Sequence, residues 1–395
     1  MSTVTSSAKS STVIYTDIKD SEKAGIYIGE YITKAFDNKP ADAVIIFASS
    51  SHDYASVLKS ITTTCNPKIL LGCSSAGEFI SEQHGEGAIS AIAFRSDHLQ
   101  FSVGLGINIL GDPDHAAQEV VESFGGMTDT SFPYRSALVL ADALAGHTDE
   151  LIDHLNKATA GTYQFFGGGA GDDAKFSKTH VFLGTKIYTN AVVALEILSK
   201  KPIGIGVRHG WKQSSVKMRV TESDGAKLVS LNSIPILNVL QKHAENTNQK
   251  FDEKNPIPFF LHNVIGIETP NGYKLRVPLS INNDGSVNCA SDIPQGTIVS
   301  IMKTDSESAS NAAREATEDA LRQVGNHEPG VALLFDCVAT RLRTGQEFEY
   351  ELDTVTKKLQ PAVMAGCNTY GQIARVDGQF NGFHNCTAVV CVIPS

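Results

Sequence analysis

Three stretches of the chain follow one plan, and this internal repeat restricts the fold more than any other feature of the sequence. In the first, an apolar strand at 43–48 leads into a helix with Tyr54, Val57, Leu58 and Ile61 on one face. A strand at 68–71 then enters Gly72-Cys73-Ser74-Ser75-Ala76-Gly77-Glu78, and a strand at 88–94 closes the unit. In the second, 137–141 precedes a helix bearing Leu151, Ile152, Leu155 and Ala158; 163–166 enters Gly167-Gly168-Gly169-Ala170-Gly171-Asp172-Asp173, and 191–198 closes. In the third, 331–335 is followed by a longer polar stretch, 362–365 enters Gly366-Cys367-Asn368-Thr369-Tyr370-Gly371-Gln372, and 387–393 closes. Strands alternating with helices in this way predict a mixed α/β fold, with parallel and hairpin-connected strands and helices covering the sheets.

The glycines at the strand ends let the backbone turn sharply and approach something closely, either another strand or a ligand. Under the second reading the loops starting at Gly72 and Gly366 form a pseudo-symmetric cradle with backbone N–H groups facing a small molecule. Its candidate residues are Gly72, Cys73, Ser74, Ser75, Glu78, Cys367, Thr369, Tyr370 and Gln372, with Asp172 and Asp173 placed to meet a cation. The run Gly72 to Ala76 also nearly fits a nucleophile elbow with Ser74 or Cys73 attacking. An elbow must open a helix, and residues 78–84 run into Gly85 and Gly87 without helical apolar spacing, so hydrolysis ranks third among the readings.

Around the repeats, residues 1–11 are nearly all Ser, Thr and Ala and read as a disordered tail. Residues 12–16 read as a strand, followed by a helix capped by Asp20 or Ser21; further helices open at Asn232 or Ser233 with Pro235, and at Asp305. Two parts, 12–225 and 226–395, are expected. Gly204, Gly206 and Gly210 miss the dinucleotide fingerprint by one residue, and no amphipathic helix follows them.

The net charge of -10 argues against nucleic acid and anionic lipid as partners. Seven scattered cysteines, none spaced C-x-x-C, point to a reducing compartment. The absence of any long apolar run gives the expectation of a soluble, cytoplasmic protein without membrane insertion. Three histidines lie among apolar neighbours: His209 beside Trp211, His262 after Phe259 and Phe260, and His384 after Phe383 and before Asn385. Such a setting suits one axial haem ligand, and equally a buried histidine bonded to backbone.

These motifs resemble the FIST family of ligand-binding sensory proteins over nearly the whole chain. The first part is similar through residues 72–78 and 168–172, through His209-Gly210-Trp211, and through Arg219-Val220-Thr221 with the Pro235 helix. The second is similar through Phe335-Asp336-Cys337-Val338, Thr369-Tyr370-Gly371-Gln372 and Phe383-His384-Asn385-Cys386-Thr387. Thr340 and Arg341 depart from a tighter Cys-x-x-Arg arrangement, and Gln372 stands where the family commonly has Glu, which weakens the case for an amino-acid ligand. The resemblance implies a sensor and not an enzyme. Some members of this length are haem b nitric-oxide sensors, which implies His209 or His384 as the axial ligand, with Trp211 and Phe383 lining the haem. It also implies a partner, a histidine kinase or a cyclic-di-GMP enzyme, since the chain has no room for an output domain. The alternative within the same family is a haem-free, amino-acid-like ligand.

Overall fold

The computed structural model describes residues 10–129, 131–376 and 382–395. Its first unit comprises β1 (Ser11–Thr16), α1 (Ser21–Ala35), β2 (Ala43–Ser49), α2 (Tyr54–Cys65), β3 (Leu70–Ser75), the hairpin β4 (Glu78–Ile80) and β5 (Gln83–Gly85), and β6 (Ile89–Phe94). The second repeats it as β7 (Leu99–Ile107), α3 (Pro113–Glu122), β8 (Tyr134–Ala141), α4 (Thr148–Ala158), β9 (Gln164–Gly169), the hairpin β10 (Val181–Leu183) and β11 (Lys186–Tyr188), and β12 (Ala191–Ser199). The third opens with β13 (Gly204–Arg208) and is then interrupted. The insert holds β14 (Lys212–Gln213), β15 (Met218–Asp224), β16 (Lys227–Leu231), β17 (Ile234–Pro235), α5 (Ile236–Thr247), α6 (Ile257–Phe260), β18 (Val264–Thr269), β19 (Gly272–Arg276), β20 (Pro278–Ile281), β21 (Val287–Cys289) and β22 (Ile298–Lys303). The unit resumes with α7 (Ser306–Val324), β23 (Pro329–Cys337), α8 (Val338–Thr344), α9 (Phe348–Leu359), β24 (Val363–Thr369), the hairpin β25 (Gln372–Arg375) and β26 (Gly382–His384), and β27 (Ala388–Pro394).

The three sheets have equivalent orders: β1-β6-β2-β3-β10-β11, β7-β12-β8-β9-β25-β26 and β13-β27-β23-β24-β4-β5. Each unit supplies four strands to its own sheet and lends its hairpin to another, the first to the third, the third to the second, and the second to the first. Within each sheet only the pair that carries the βαβ crossover is parallel: β2–β3, β8–β9 and β23–β24. The sequence repeat is thus a cyclic structural repeat, and the mixed α/β expectation holds.

Both faces of the inner strands such as β2, β6, β12 and β27 are buried, which explains why they read as continuous apolar runs and do not alternate. In β2, Ile45 and Phe47 face a central core shared with Leu138 and Leu140 of the second sheet and Leu333 and Phe335 of the third. Val44, Ile46 and Ala48 point the other way, onto α1 and α2. The second sheet is covered outside by α3 and α4, the third by α7 and α9. Asp20 and Asp305 cap α1 and α7 as expected, accepting from the amides of Lys23 and Ser308.

The insert forms a nine-stranded antiparallel sheet with its own core under α5 and α6. The expected division at residue 225 falls in the turn of its β15–β16 hairpin, and the strand expected from residue 12 begins one residue earlier, where Ser11 pairs with Phe94. A half-buried ionic cluster ties the insert to the body. Asp149 of α4 receives Lys274 and Arg276, each at 2.5 Å, and the Phe383 amide at 2.8 Å, while Arg276 also donates to the Phe383 carbonyl at 3.2 Å. Burial pushes the Asp149 carboxyl up, but Arg276 and Lys274 outweigh it and hold the group below its usual range. No helix among the described residues is long and apolar enough to cross a membrane.

The near-miss dinucleotide glycines have a packing role. A Cβ on Gly204 or Gly206 would stand 1.8 or 1.7 Å from the carbonyl oxygens of Ala320 and Ala316, so α7 lies with its backbone directly on β13. Gly104 and Gly106 of β7 do the same beneath Val120 and Ala116 of α3. Gly206→Ala forces helix and strand apart and is expected to cost at least the ~1–3 kcal/mol typical of overpacking, read as a lower urea midpoint at unchanged slope. A variant as stable as the wild type would show that the helix shifts freely.

Candidate functional site

The three glycine loops meet one another at the centre of the body. Gly72, Gly167 and Gly366 stand opposite Ile46, Val139 and Leu334 on the parallel partner strands, and a Cβ on each would lie 2.0 Å from that residue's carbonyl oxygen. Beyond them the loops bond in a ring. Ala76 N donates to Asn368 O (3.0 Å) and Asn368 N to Gly77 O (2.8 Å); Gly171 N donates to Ser74 O (2.9 Å); Gly169 N donates to Gly371 O (2.9 Å) and Tyr370 N to Gly169 O (3.0 Å). These amides are turned to each other and not to a ligand.

The side chains sharpen the parallel. Ser75 Oγ donates to Glu78 at 2.5 Å, and the other Glu78 oxygen accepts from Ala88 N at 3.0 Å. In the third unit Gln372 bonds Thr369 Oγ1 at 2.9 Å and accepts from Thr387 N at 3.2 Å. Gln372 is therefore the counterpart of Glu78, bracing the start of the closing strand. Burial lifts the Glu78 carboxyl to about 8, against the hydrogen bonds from Ser75 and Ala88 that favour its charged form. The shift moves Glu78 toward the neutral acid, which is chemically closer than the carboxylate to the amide that replaces it in the third unit.

The other sequence candidates are placed as follows. Cys73 and Cys367 are equivalent, fully buried and in thiol contact; burial first, then Cys73, raises the Cys367 thiol well above its ordinary value. Ser74 Oγ accepts from His180 N at 2.9 Å, and β3 runs through its loop into β4, so the strand-to-helix turn of an elbow is absent here. Asp172 is used up locally: it accepts from the Tyr370 hydroxyl, from the amides of Phe176 (2.8 Å), Ser177 (2.7 Å) and Lys178 (2.8 Å), and from Ser177 Oγ (2.9 Å). Asp173 instead crosses to the first unit, where Ser49 Oγ and Ser50 N each donate to it at 2.9 Å.

His209 and His384 lie in the seam between the insert and the third unit, and their geometry does not fit an axial haem ligand. His209 Nε2 is engaged with the Tyr273 carbonyl at 2.8 Å and its Nδ1 accepts from Trp211 N at 3.3 Å. Both ring nitrogens are occupied, and burial lowers the imidazole pKa. His384 is sealed in the interior, where burial, then Lys274, drives it down to about 3. Trp211 packs on Val264, Leu275 and Cys337 in that seam, and the Phe383 ring lies over Gly371. The nearby apolar groove holds about 100 Å³, against roughly 300–1,000 Å³ for ordinary ligand pockets, and neither histidine lines it. Hemin added to the protein is expected to give no Soret band that depends on these side chains; a band lost in His209→Ala or His384→Ala would overturn this.

Two cavities flank α8. The apolar groove is walled by Val338, Ala339 and Leu342 of α8, Phe260 and Leu279 of the insert, and Phe176 stacked on Tyr370 at 4.4 Å; Asn385 sits in its lining. On the other side a mixed cleft of about 410 Å³ is lined by Glu78, His84, Glu86, Arg341, Gln346 and Asn368 together with the apolar Phe79, Leu342 and Phe348. Asn368 is 1% exposed, yet neither its Oδ1 nor its Nδ2 has a partner among the described residues, and Arg341 Nε is likewise unpartnered. The predicted candidates lined this cleft only through Glu78. Asn368 and Arg341 were passed over, although Asn368 stands where the first loop has Ser74 and Arg341 marks a departure from the family pattern.

Glu78 makes stability depend on pH. The fold keeps its proton up to about pH 8, whereas the unfolded carboxyl loses it near 4.5, so between those values the folded state binds more protons and stability falls as pH rises. Glu78→Gln, which copies the third unit, is expected to flatten that part of the curve in urea melts. An unchanged slope would assign the dependence to another group.

Comparison with known proteins agrees with this architecture. The FIST N domain model matches residues 42–234 and the FIST C domain model residues 237–375. The chain is 22% identical over 361 residues to uncharacterized protein MJ1623 of Methanocaldococcus jannaschii, covering 86% of this chain and 68% of that protein. Between them the two domain models span the insert and most of the three-sheet body, from β2 to β25, and the chain belongs to the FIST family, whose domains point to a sensory role.

Proposed function

We propose that the protein is a non-catalytic sensor that binds a small polar molecule in the cleft between the β4–β5 hairpin and α8, and passes its occupancy to a partner. The observation that carries this reading is the pair of unsatisfied groups in the cleft wall. A buried amide with neither end bonded costs roughly 1–3 kcal/mol per group, and a ligand that bonds Asn368 and Arg341 recovers that cost. Ligands bearing both donors and acceptors, amino acids among them, suit such a wall.

α8 provides a route for the signal. It forms a wall of both cavities and joins directly to β23 in the common core, so a ligand that draws Arg341 inward changes the apolar groove on the far side. A histidine kinase or a cyclic-di-GMP enzyme, reading that groove or its rim, is the partner we propose. The cytoplasm is the compartment we propose for it.

The test is a thermal-shift panel of amino acids, polyamines and small organic acids on the wild type and on Asn368→Ala. A ligand at a hundred times its dissociation constant stabilises by about 2.7 kcal/mol, and the gain is expected to vanish in the variant. Ligands that stabilise both proteins equally would move the site elsewhere.

A further inference from the structure

The cleft already holds a carboxylate. Arg341, whose side chain is 13% exposed, is paired through Nη1 with Glu86, whose side chain is 72% exposed and follows directly on β5. Behind that pair the wall is unsatisfied, since Arg341 Nε and the Asn368 amide face no partner among the described residues. Only glycine at residue 77 leaves room for these two side chains: a Cβ there would stand 2.5 Å from Asn368 Oδ1 and 3.2 Å from Arg341 Nε. The arrangement is lopsided. A guanidinium presents a fork suited to two carboxylate oxygens, but Glu86 reaches it from the solvent side and leaves the inner donor unused.

We propose that Glu86 is a built-in stand-in for a ligand carboxylate, so that the cleft selects small carboxylates, which displace Glu86 and bond Arg341 and Asn368 together. The Glu86 carboxylate is the exposed member of the pair and already sits in water, so its release costs little. A free carboxylate small enough to pass it reaches Arg341 Nε and the Asn368 Nδ2 donor. Asn368 Oδ1 is left to accept from a donor elsewhere on the ligand. Glu86 also sets a threshold: its carboxylate competes at high local concentration, so only ligands that engage the inner donors displace it.

This inference rests on the cleft being the ligand site. The test uses the full chain and two matched probe pairs, succinate with succinamide and L-alanine with L-alaninamide, titrated by calorimetry. The carboxylate of each pair is expected to bind and its amide not. Glu86→Gln is expected to tighten carboxylate binding about fivefold, and Arg341→Gln to abolish it; Arg341→Lys, which keeps the charge but loses the fork, is expected to weaken it if Arg341→Gln does not fold. Carboxylate binding that Glu86→Gln leaves unchanged or weakens would overturn the stand-in role while leaving the cleft as the site. Amides binding as well as acids, with binding lost in Asn368→Ala, would overturn the selectivity alone. No carboxylate binding to either the wild type or Glu86→Gln would overturn the carboxylate class altogether.

Discussion

The ring of backbone hydrogen bonds among the three glycine loops is the contact on which the rest of the body depends. Each loop ends a parallel strand, and each must pass close enough to its neighbour for its amide to find that neighbour's carbonyl. Gly168 and Gly171 permit this, because a Cβ there would stand 2.8 Å from the Thr369 side chain and 2.9 Å from the Ala76 side chain of the neighbouring loops. With the ring closed, every hairpin is delivered to the edge of another unit's sheet. An edge that would otherwise expose unpaired amides is covered in the process. The central apolar core then brings the inner faces of all three sheets together.

The same brace appears twice in two chemical forms. Glu78 accepts from Ser75 Oγ and from the Ala88 amide, while Gln372 donates to Thr369 Oγ1 and accepts from the Thr387 amide, each amide lying just before the closing strand. A glutamate is compatible with so buried a place because desolvation favours its protonated form, and a protonated carboxyl and a carboxamide have similar shape and bonding capacity. The amide in the third unit is thus the form without a titration. The family difference at Gln372, which seemed at the level of sequence to touch the ligand, belongs instead to the scaffold that holds the loop ring.

Much of this body was legible in the amino-acid sequence, because the repeat of apolar strand, amphipathic helix and glycine loop is local. The exchange of hairpins was not, since Glu78 pairs with Cys367 across most of the chain and no periodicity records such a partner. The histidines misled for a related reason. An imidazole among aromatic residues has the same local context whether it ligates a metal or donates to a backbone carbonyl, and His209 is committed to the carbonyl of Tyr273, which comes from the distant insert. The glycine pairs of β7 and β13 did leave a signal, the same G-x-G in two units, but the one in β13 resembled a nucleotide motif more than a packing motif. Asn368 and Arg341 become a site only when the Gly77 turn from the first unit is laid beneath them.

The lending of hairpins between units also governs how such a chain is made. A nascent polypeptide that has emerged through β13 carries a strand whose sheet partner, β27, spans residues 388–394. Its own β4–β5 hairpin has no edge to join until β24 follows. The stretch matched by the FIST N model is therefore not a piece that can finish folding on the ribosome and wait. It must hold open edges while the insert, which closes its own sheet independently, is completed first. A fragment cut between the two family models would expose the same edges to other chains, and its fate would be aggregation rather than half a receptor.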